Sequence, residues 1–259
     1  MARHTVKSQS RLLVVDVGNS STSLGLYVNG TIRRPLRIDT AKLKPRMAQR
    51  TIRDMIGSTV LDGAALASVR PAVNDLLIKA IRSIAHVPTL RVHHSLRLGA
   101  TVTYPDPESV GEDRLANLAG AVWRYDAPVI VVDIGTATTF DIIQRRKGYT
   151  GGVIAPGPAL MLDYLAEKTA LLPRIDLTPV RQAVGKSTEQ AMRIGALHGY
   201  RGMVKEITHY LMRHMRNKSV TLCATGGYAR WVMQGMDLPF RYDKYLTLYG
   251  IARIHELNT

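Results

Sequence analysis

Asp16-Val17-Gly18-Asn19-Ser20-Ser21-Thr22 follows the apolar run Leu12 to Val15, and Asp133-Ile134-Gly135-Thr136-Ala137-Thr138-Thr139 follows the apolar run Val129 to Val132. Each phrase leads into a second β-like run, Leu24-Gly25-Leu26-Tyr27 in the first copy and Phe140-Asp141-Ile142-Ile143 in the second. A β-branched run, Asp-x-Gly, a string of small hydroxyl residues and another such run read as a hairpin with a carboxylate and free donors at its tip. Backbone N–H groups at such a tip can form a nest for an anion. For one copy alone, ordinary turn chemistry is the better explanation, because Asp, Gly, Asn and Ser are what turns are made of. Two matched copies, one near the start of each half of the chain, favour a duplicated phosphate-handling device.

At 259 residues and 46% hydrophobic, the chain can bury a substantial core as one large domain or two lobes. Apolar strand-like runs alternate with helical patterns, and Phe occurs only twice, which favours α/β over all-β. The single cysteine, Cys223, excludes an internal disulfide framework and fits a reducing compartment. Met1 to Ser10 is polar and basic and no stretch approaches membrane-spanning length, so a soluble cytoplasmic protein is expected.

Thirty-five Lys and Arg against 20 Asp and Glu leave a formal charge of +15. The excess is densest in Arg33 to Arg53 and in Arg201 to Lys218, where Arg213, Arg216 and Lys218 accompany Ile207, Leu211 and Met212. Solvated helix faces account for both segments. A nucleic-acid partner is the sharper alternative, but no interleaved aromatic pattern supports it.

The first half reads as a hairpin over Leu12 to Thr31, helices near Lys44 to Met55 and Val73 to Ile84, and strands near Ala64 to Val69 and Thr89 to Val92. The irregular segment Thr103 to Arg114 holds Pro105, Pro107 and Gly111 and reads as a fixed loop. Leu115, Leu118, Ala119 and Val122 then mark an amphipathic helix with Asp113 near its start. The second half repeats the programme from Val129. The lobe boundary falls near Tyr125 to Pro128, giving lobes 1–125 and 126–259.

An Asp at a helix start is most often a cap. Here Tyr104, Gly111 and Arg114 stand nearby in the same loop, so a hydroxyl, an open backbone, a cation and a carboxylate share one region. Such a group can hold an acidic substrate and accept a hydroxyl proton. Gly151-Gly152-Val153-Ile154-Ala155-Pro156-Gly157-Pro158 and Thr225-Gly226-Gly227 read either as turns or as places where a ligand approaches the backbone. Ser187 or Thr188 reads as a helix cap. The histidines lack metal-ligand spacing, and Cys223 reads as a small buried strand residue.

Together these elements resemble the type III pantothenate kinase family, within the acetate kinase, sugar kinase, Hsp70 and actin superfamily. The resemblance runs from Asp16 to Leu246-Thr247-Leu248-Tyr249-Gly250. It is carried by Asp16-x-Gly18-Asn19, Tyr104-Pro105-x-Pro107, Gly111-x-Asp113-Arg114 and Asp133-x-Gly135-Thr136-Ala137-Thr138-Thr139-x-Asp141. Gly151-Gly152-x-Ile154-x-Pro156-Gly157, Thr169-Ala170-x-Leu172-Pro173 and Thr225-Gly226-Gly227 complete it.

The resemblance implies an α/β chain of two duplicated ribonuclease H-like (actin-like) lobes with a cleft between them. It also implies a homodimer whose active site is completed at the interface. The implied reaction is ATP-dependent phosphorylation of the terminal hydroxyl of pantothenate, the first step of coenzyme A synthesis. Asp16, Val17, Gly18, Asn19, Ser20, Ser21, Thr22 and Ser23 would form the first phosphate loop, with Asp16 helping to place Mg²⁺. Asp113 would be the general base. Gly111, Glu112 and Arg114 would line the substrate pocket with Tyr104, and Thr188 would contribute from the partner subunit. Asp133 would bind the monovalent cation, K⁺ or NH₄⁺, and Thr136 would contact ATP.

Ser20 stands where the family usually has Thr, with its hydroxyl kept. A regulatory accessory homologue, a nucleic-acid-binding protein and another superfamily enzyme, such as an exopolyphosphatase or a sugar or acetate kinase, are the alternative readings. Intact Asp16, Asp113 and Asp133 weigh against loss of chemistry, and the Tyr104 to Arg114 segment favours pantothenate.

Overall fold

Both repeated phrases close hairpins, and the same five-stranded sheet is built around each. The computed structural model describes residues 10–215 and 219–259, so most of the polar N-terminal segment, with Arg216 and Lys218, lies outside the described residues. The chain forms two compact units.

In the first unit, β1 (Arg11–Val17) and β2 (Ser21–Val28) form the hairpin, and β3 (Thr31–Asp39) adds to β2. β4 (Gly63–Ser68) pairs parallel with β1, and β5 (Thr89–Arg91) pairs parallel with β4, giving the order β3-β2-β1-β4-β5. Strand alternation turns Leu13, Val15 and Val17 toward one face, where they bury with Leu24 and Leu26. The same core takes Ile52 and Met55 of α1 (Pro45–Ile56) and Leu77 and Ile81 of α2 (Asn74–Ala85).

α3 (Glu112–Arg124) packs on α7 (Leu246–Asn258), and α7 also lies against β1 and β4. Two glycines make the helix pair close. A Cβ on Gly250 would come within 2.6 Å of the Ala116 carbonyl carbon, and one on Gly120 within 2.6 Å of the Leu246 carbonyl oxygen.

The second unit repeats the design with β6 (Val129–Ile134), β7 (Ala137–Gln144), β8 (Gly148–Pro156), β9 (Thr221–Thr225) and β10 (Arg241–Tyr242). Its order, β10-β9-β6-β7-β8, is that of the first sheet with each strand replaced by its counterpart. β6 pairs antiparallel with β7 and parallel with β9, as β1 does with β2 and β4. Ile130, Val132, Ile134 and Phe140 form its core with Tyr200, Val204 and Leu211 of α5 (Thr188–Met215) and with Val232 of α6 (Ala229–Met233). Cys223 is buried in β9.

Two local expectations need correction. Arg33, Arg34 and Arg37 belong to edge strand β3, not to a solvated helix face. Ile32 and Ile38 turn toward the sheet, while a register shift at Leu24/Leu26 and a positive φ of 46° at Arg34 let the strand carry Pro35. Gly151 and Gly152 lie inside β8, and only Gly157 begins the turn into α4 (Pro158–Lys168). The first unit comprises the residues up to Arg124 together with Lys147–Tyr149 and Tyr245–Thr259, and the second comprises Tyr125–Arg146 and Thr150–Lys244.

Candidate active site

Asp16 is the penultimate residue of β1, opposite Ser23 on β2 and beside Ala67 on β4. The hairpin tip is closed by a hydrogen bond from the Gly18 N–H to the Ser21 carbonyl at 3.0 Å. A side chain at Gly18 would meet that same oxygen at 2.9 Å, so the tip favours the smallest residue. Thr40, just past β3, braces it from below. Its hydroxyl donates to the Gly18 carbonyl at 2.9 Å and lies 3.0 Å from the buried Thr22 hydroxyl, and its N–H donates to the Ser20 carbonyl at 3.0 Å. Thr40 carries no motif signal of its own.

The carboxyl ends of parallel strands, where neighbouring connections diverge, are where open α/β sheets place ligands. β1 and β4 provide such an edge, and the loop from Thr103 to Arg114 is fastened to it. Glu112 accepts a hydrogen bond from the Ser68 N–H, at the end of β4, at 2.8 Å, and the Val69 N–H donates to the Val17 carbonyl at 3.0 Å. Arg91 on β5 binds the other oxygen of Glu112 through Nε at 2.9 Å and Nη2 at 2.8 Å. Burial raises the Glu112 pKa, against the lowering effect of the Ser68 N–H and Arg91. Glu112, expected to line the substrate pocket, is thus also a strut between α3 and the sheet.

Asp113 sits in the first turn of α3 and accepts the Arg114 N–H at 2.8 Å. Burial pushes its carboxyl above the usual carboxylate range, opposed by that N–H and by the Arg114 charge. A Cβ on Gly111 would meet Asp113 Oδ1 at 2.5 Å and Val69 Cγ1 at 3.6 Å, so the loop passes close to both groups. The Arg114 guanidinium lies 5.7 Å from the centroid of the Tyr149 ring, and Tyr104 meets the same ring edge-on at 6.2 Å. Tyr149 is fully buried, and its backbone is stitched to the loop by hydrogen bonds with Thr101 and Thr103, each at 2.9 Å. The structure therefore gathers Tyr104, Gly111, Glu112, Asp113 and Arg114 around Tyr149, at the sheet edge that carries Asp16. Tyr149 was not legible as a site residue, since it is remote in sequence and reads as an ordinary strand aromatic.

Asp133, Thr136 and Thr188 belong to the second unit. Asp133 is the penultimate residue of β6, between Thr139 on β7 and Thr225 on β9. Gly226, at φ 94°, crosses directly over it. A Cβ there would overlap Asp133 Oδ1 and lie 2.6 Å from the Ile134 nitrogen. The Gly157 N–H donates to the Thr136 carbonyl at 2.9 Å, and a side chain at Gly157 would lie 2.7 Å from the Thr136 carbonyl carbon. Both ambiguous glycine motifs thus pack on the second hairpin tip. Thr188 is exposed at the start of α5, where the Ser187 hydroxyl accepts the Gln190 N–H at 3.3 Å and makes the cap.

A profile of the type III pantothenate kinase family matches residues 12–210. The chain belongs to the type III pantothenate kinase family. It is 36% identical over 251 residues to the type III pantothenate kinase of Methylacidiphilum infernorum, covering 95% of this chain and 88% of that one. It is 38% identical over 253 residues to that of Thermus thermophilus, covering 94% and 98%. Among solved structures, a putative Baf family transcriptional activator from Campylobacter jejuni superposes with a TM-score of 0.55 at 18% identity, covering 94% and 97%. A ROK hexokinase from Thermus thermophilus gives 0.50 at 11%, covering 94% and 98%. These two likenesses show the α/β fold. Type III pantothenate kinases phosphorylate pantothenate in coenzyme A biosynthesis, so this chain is a kinase phosphotransferase by family. Among the described residues, no helix is long and apolar enough to cross a membrane.

Proposed function

We propose that this type III pantothenate kinase transfers the γ-phosphoryl group of ATP to the terminal hydroxyl of pantothenate, with Asp113 as general base. The observation that carries the assignment is a buried carboxylate of raised pKa, fixed in the first turn of α3 beside the edge that holds Asp16. A carboxylate whose proton affinity is raised by burial is a better proton acceptor than an ordinary Asp. Arg114, held over Tyr149, offers its charge to the pantothenate carboxylate. Tyr104, about one-third exposed, offers a hydroxyl. Asp113 then takes the hydroxyl proton as the oxygen attacks the γ-phosphorus in line. The N–H groups of the first loop, Asp16 to Ser23, oppose the charge on the phosphates.

Mg²⁺ travels with ATP, and it neutralises charge on the phosphate oxygens. The first loop fits it through hard oxygen donors, Asp16 and the hydroxyls of Ser20, Ser21 and Ser23. Asp133 is assigned the K⁺ or NH₄⁺ ion, with Thr136 contacting ATP. The bare backbone of Gly226 over Asp133 leaves room that a Cβ would fill, and the neighbouring donors are oxygens. We further assign a homodimer in which Thr188 serves the partner's substrate site. Exposed Leu160, Tyr164, Leu171 and Val184 of the second unit support a covering copy.

ADP release from purified protein, with Mg²⁺-ATP and with or without pantothenate, in K⁺, NH₄⁺ or Na⁺, tests this reading. Pantothenate-dependent turnover that requires K⁺ or NH₄⁺ is expected. Turnover indifferent to pantothenate refutes the substrate assignment, and turnover equal in Na⁺ refutes the cation site.

A further inference from the structure

The first phosphate loop, Asp16 to Ser23, contains no lysine or arginine. Phosphoryl transfer nevertheless calls for fixed positive charge beside the polyphosphate, commonly a side-chain cation. Two arginines from outside the loop reach its tip. Arg37 on β3 donates from Nε to the Ser21 hydroxyl at 2.9 Å. Arg70, two residues past the end of β4, donates from Nη1 to the Asn19 carbonyl at 2.8 Å. Because the strand order is β3-β2-β1-β4, they grip the hairpin from opposite flanks.

Register fixes the side on which Arg37 acts. Asp16 opposes Ser23, and Ser23 opposes Arg37. Directly opposed residues project from the same face of a sheet, so Asp16, Ser23 and Arg37 form a row across three strands, spaced by about 5 Å per strand.

Arginines elsewhere serve as struts on main-chain carbonyls, Arg34 on Met55 and Arg201 on Val232, so what sets Arg37 and Arg70 apart is their place at the loop tip. Arg11, Arg91 and Arg193 each meet a carboxylate. Among the described residues, Arg37 and Arg70 meet neutral oxygens of the loop instead. A bond from an exposed arginine to a hydroxyl or a carbonyl contributes little to stability on its own. A guanidinium, however, presents a planar fork of donors, and each of these arginines uses one arm to fix the tip while its other N–H groups remain for an anion.

We propose that Arg37 and Arg70 are the side-chain cations of the first phosphate loop, contacting the ATP polyphosphate directly. This rests on the ATP reading above. It explains part of the basic segment Arg33 to Arg53 as ligand-binding charge instead of surface solubility.

The test combines Arg37→Ala, Arg70→Ala and the two Lys variants, with steady-state kinetics, binding of Mg²⁺-ATP and of adenosine, and melting temperature. Each Ala change should lower kcat/KM for ATP by about 10²-fold, the scale of a lost charge-stabilising donor. KM for pantothenate, adenosine affinity and melting temperature should stay near wild type, and Lys should recover part of the loss. Unchanged ATP kinetics in both Ala variants overturns the proposal. So does equal weakening of ATP and adenosine, which marks a displaced loop, or a loss confined to pantothenate. If the wild type binds ATP but does not turn over pantothenate, the substrate assignment fails, while selective loss of ATP binding in the variants still upholds the arginine assignment.

Discussion

Glu112→Ala should loosen the substrate loop in a measurable way, because the Glu112 carboxylate joins three elements. Its side chain is 15% exposed and receives the Ser68 N–H at 2.8 Å and two N–H groups of Arg91 at 2.9 and 2.8 Å. Truncation leaves the Ser68 N–H without its acceptor in a buried position, at about 1–3 kcal/mol. The Arg91 side chain is 50% exposed, so the lost ion pair is well screened and adds at most about 1 kcal/mol. Burial of the Glu112 charge is itself unfavourable, which returns part of that loss. The net destabilisation is about 2 kcal/mol, a melting shift of about 4–8 °C for a chain of this size. Glu112→Gln keeps an acceptor for Ser68 and removes the buried charge, so its melting temperature should lie within a few degrees of wild type. Asp113 is the next residue, so the Ala variant should also lose more kcat than the Gln variant, at unchanged affinity for ATP. Thermal melts and single-turnover rates of the three proteins decide the matter. Equal losses in Ala and Gln would refute the strut and make the Glu112 charge itself the functional element.

Four further outcomes follow from the geometry. The acid limb of kcat/KM for pantothenate should lie above the ordinary Asp range, since burial raises the Asp113 pKa and the base works only ionised; a limb near pH 4 would contradict this. By linkage, a carboxyl that binds protons more tightly folded than unfolded lowers stability as pH rises from the unfolded Asp value through the folded one. Asp113→Asn should therefore melt higher than wild type above the folded pKa of Asp113, and that advantage should shrink as pH falls toward the unfolded Asp value, about 3.9, and be gone below it. Gly250→Ala places a methyl 2.6 Å from the Ala116 carbonyl carbon between α3 and α7, and should destabilise the first unit by about 1–3 kcal/mol or more in denaturant titrations. Gly226→Ala puts a methyl onto Asp133 Oδ1 at a φ of 94°, so K⁺ stimulation of turnover should fall more than ATP affinity; intact K⁺ response would separate Asp133 from the cation.

Local signals carried much of the architecture. Continuous apolar β-type runs before Asp16 and Asp133 marked both hairpins, and the Leu115 to Val122 pattern placed Asp113 at a helix start. What escaped depends on contacts distant in sequence. β3 was hidden by three arginines and Pro35, because an edge strand with mostly solvent-facing side chains lacks the alternation that identifies a strand. Gly151 and Gly152 suggested a loop, since glycine's turn preference outweighed the flanking β pattern. α7 joins the first unit through packing on α3, more than 120 residues away in sequence, which no local period reports. At the site, motif residues stood out, but their supports did not. Thr40, Tyr149, Arg37 and Arg70 reach a motif from another strand or from just beyond one, and only the strand order reveals that.

The most direct test of Asp113 as general base is turnover of Asp113→Asn beside wild type, in Mg²⁺-ATP, pantothenate and K⁺, with ATP affinity and melting measured on the same samples. Asparagine fills the same space but cannot take the hydroxyl proton. Loss of turnover by about 10²–10⁴-fold, with ATP affinity kept and stability undiminished, is the predicted result. A folded variant that phosphorylates pantothenate at near wild-type rate would contradict it.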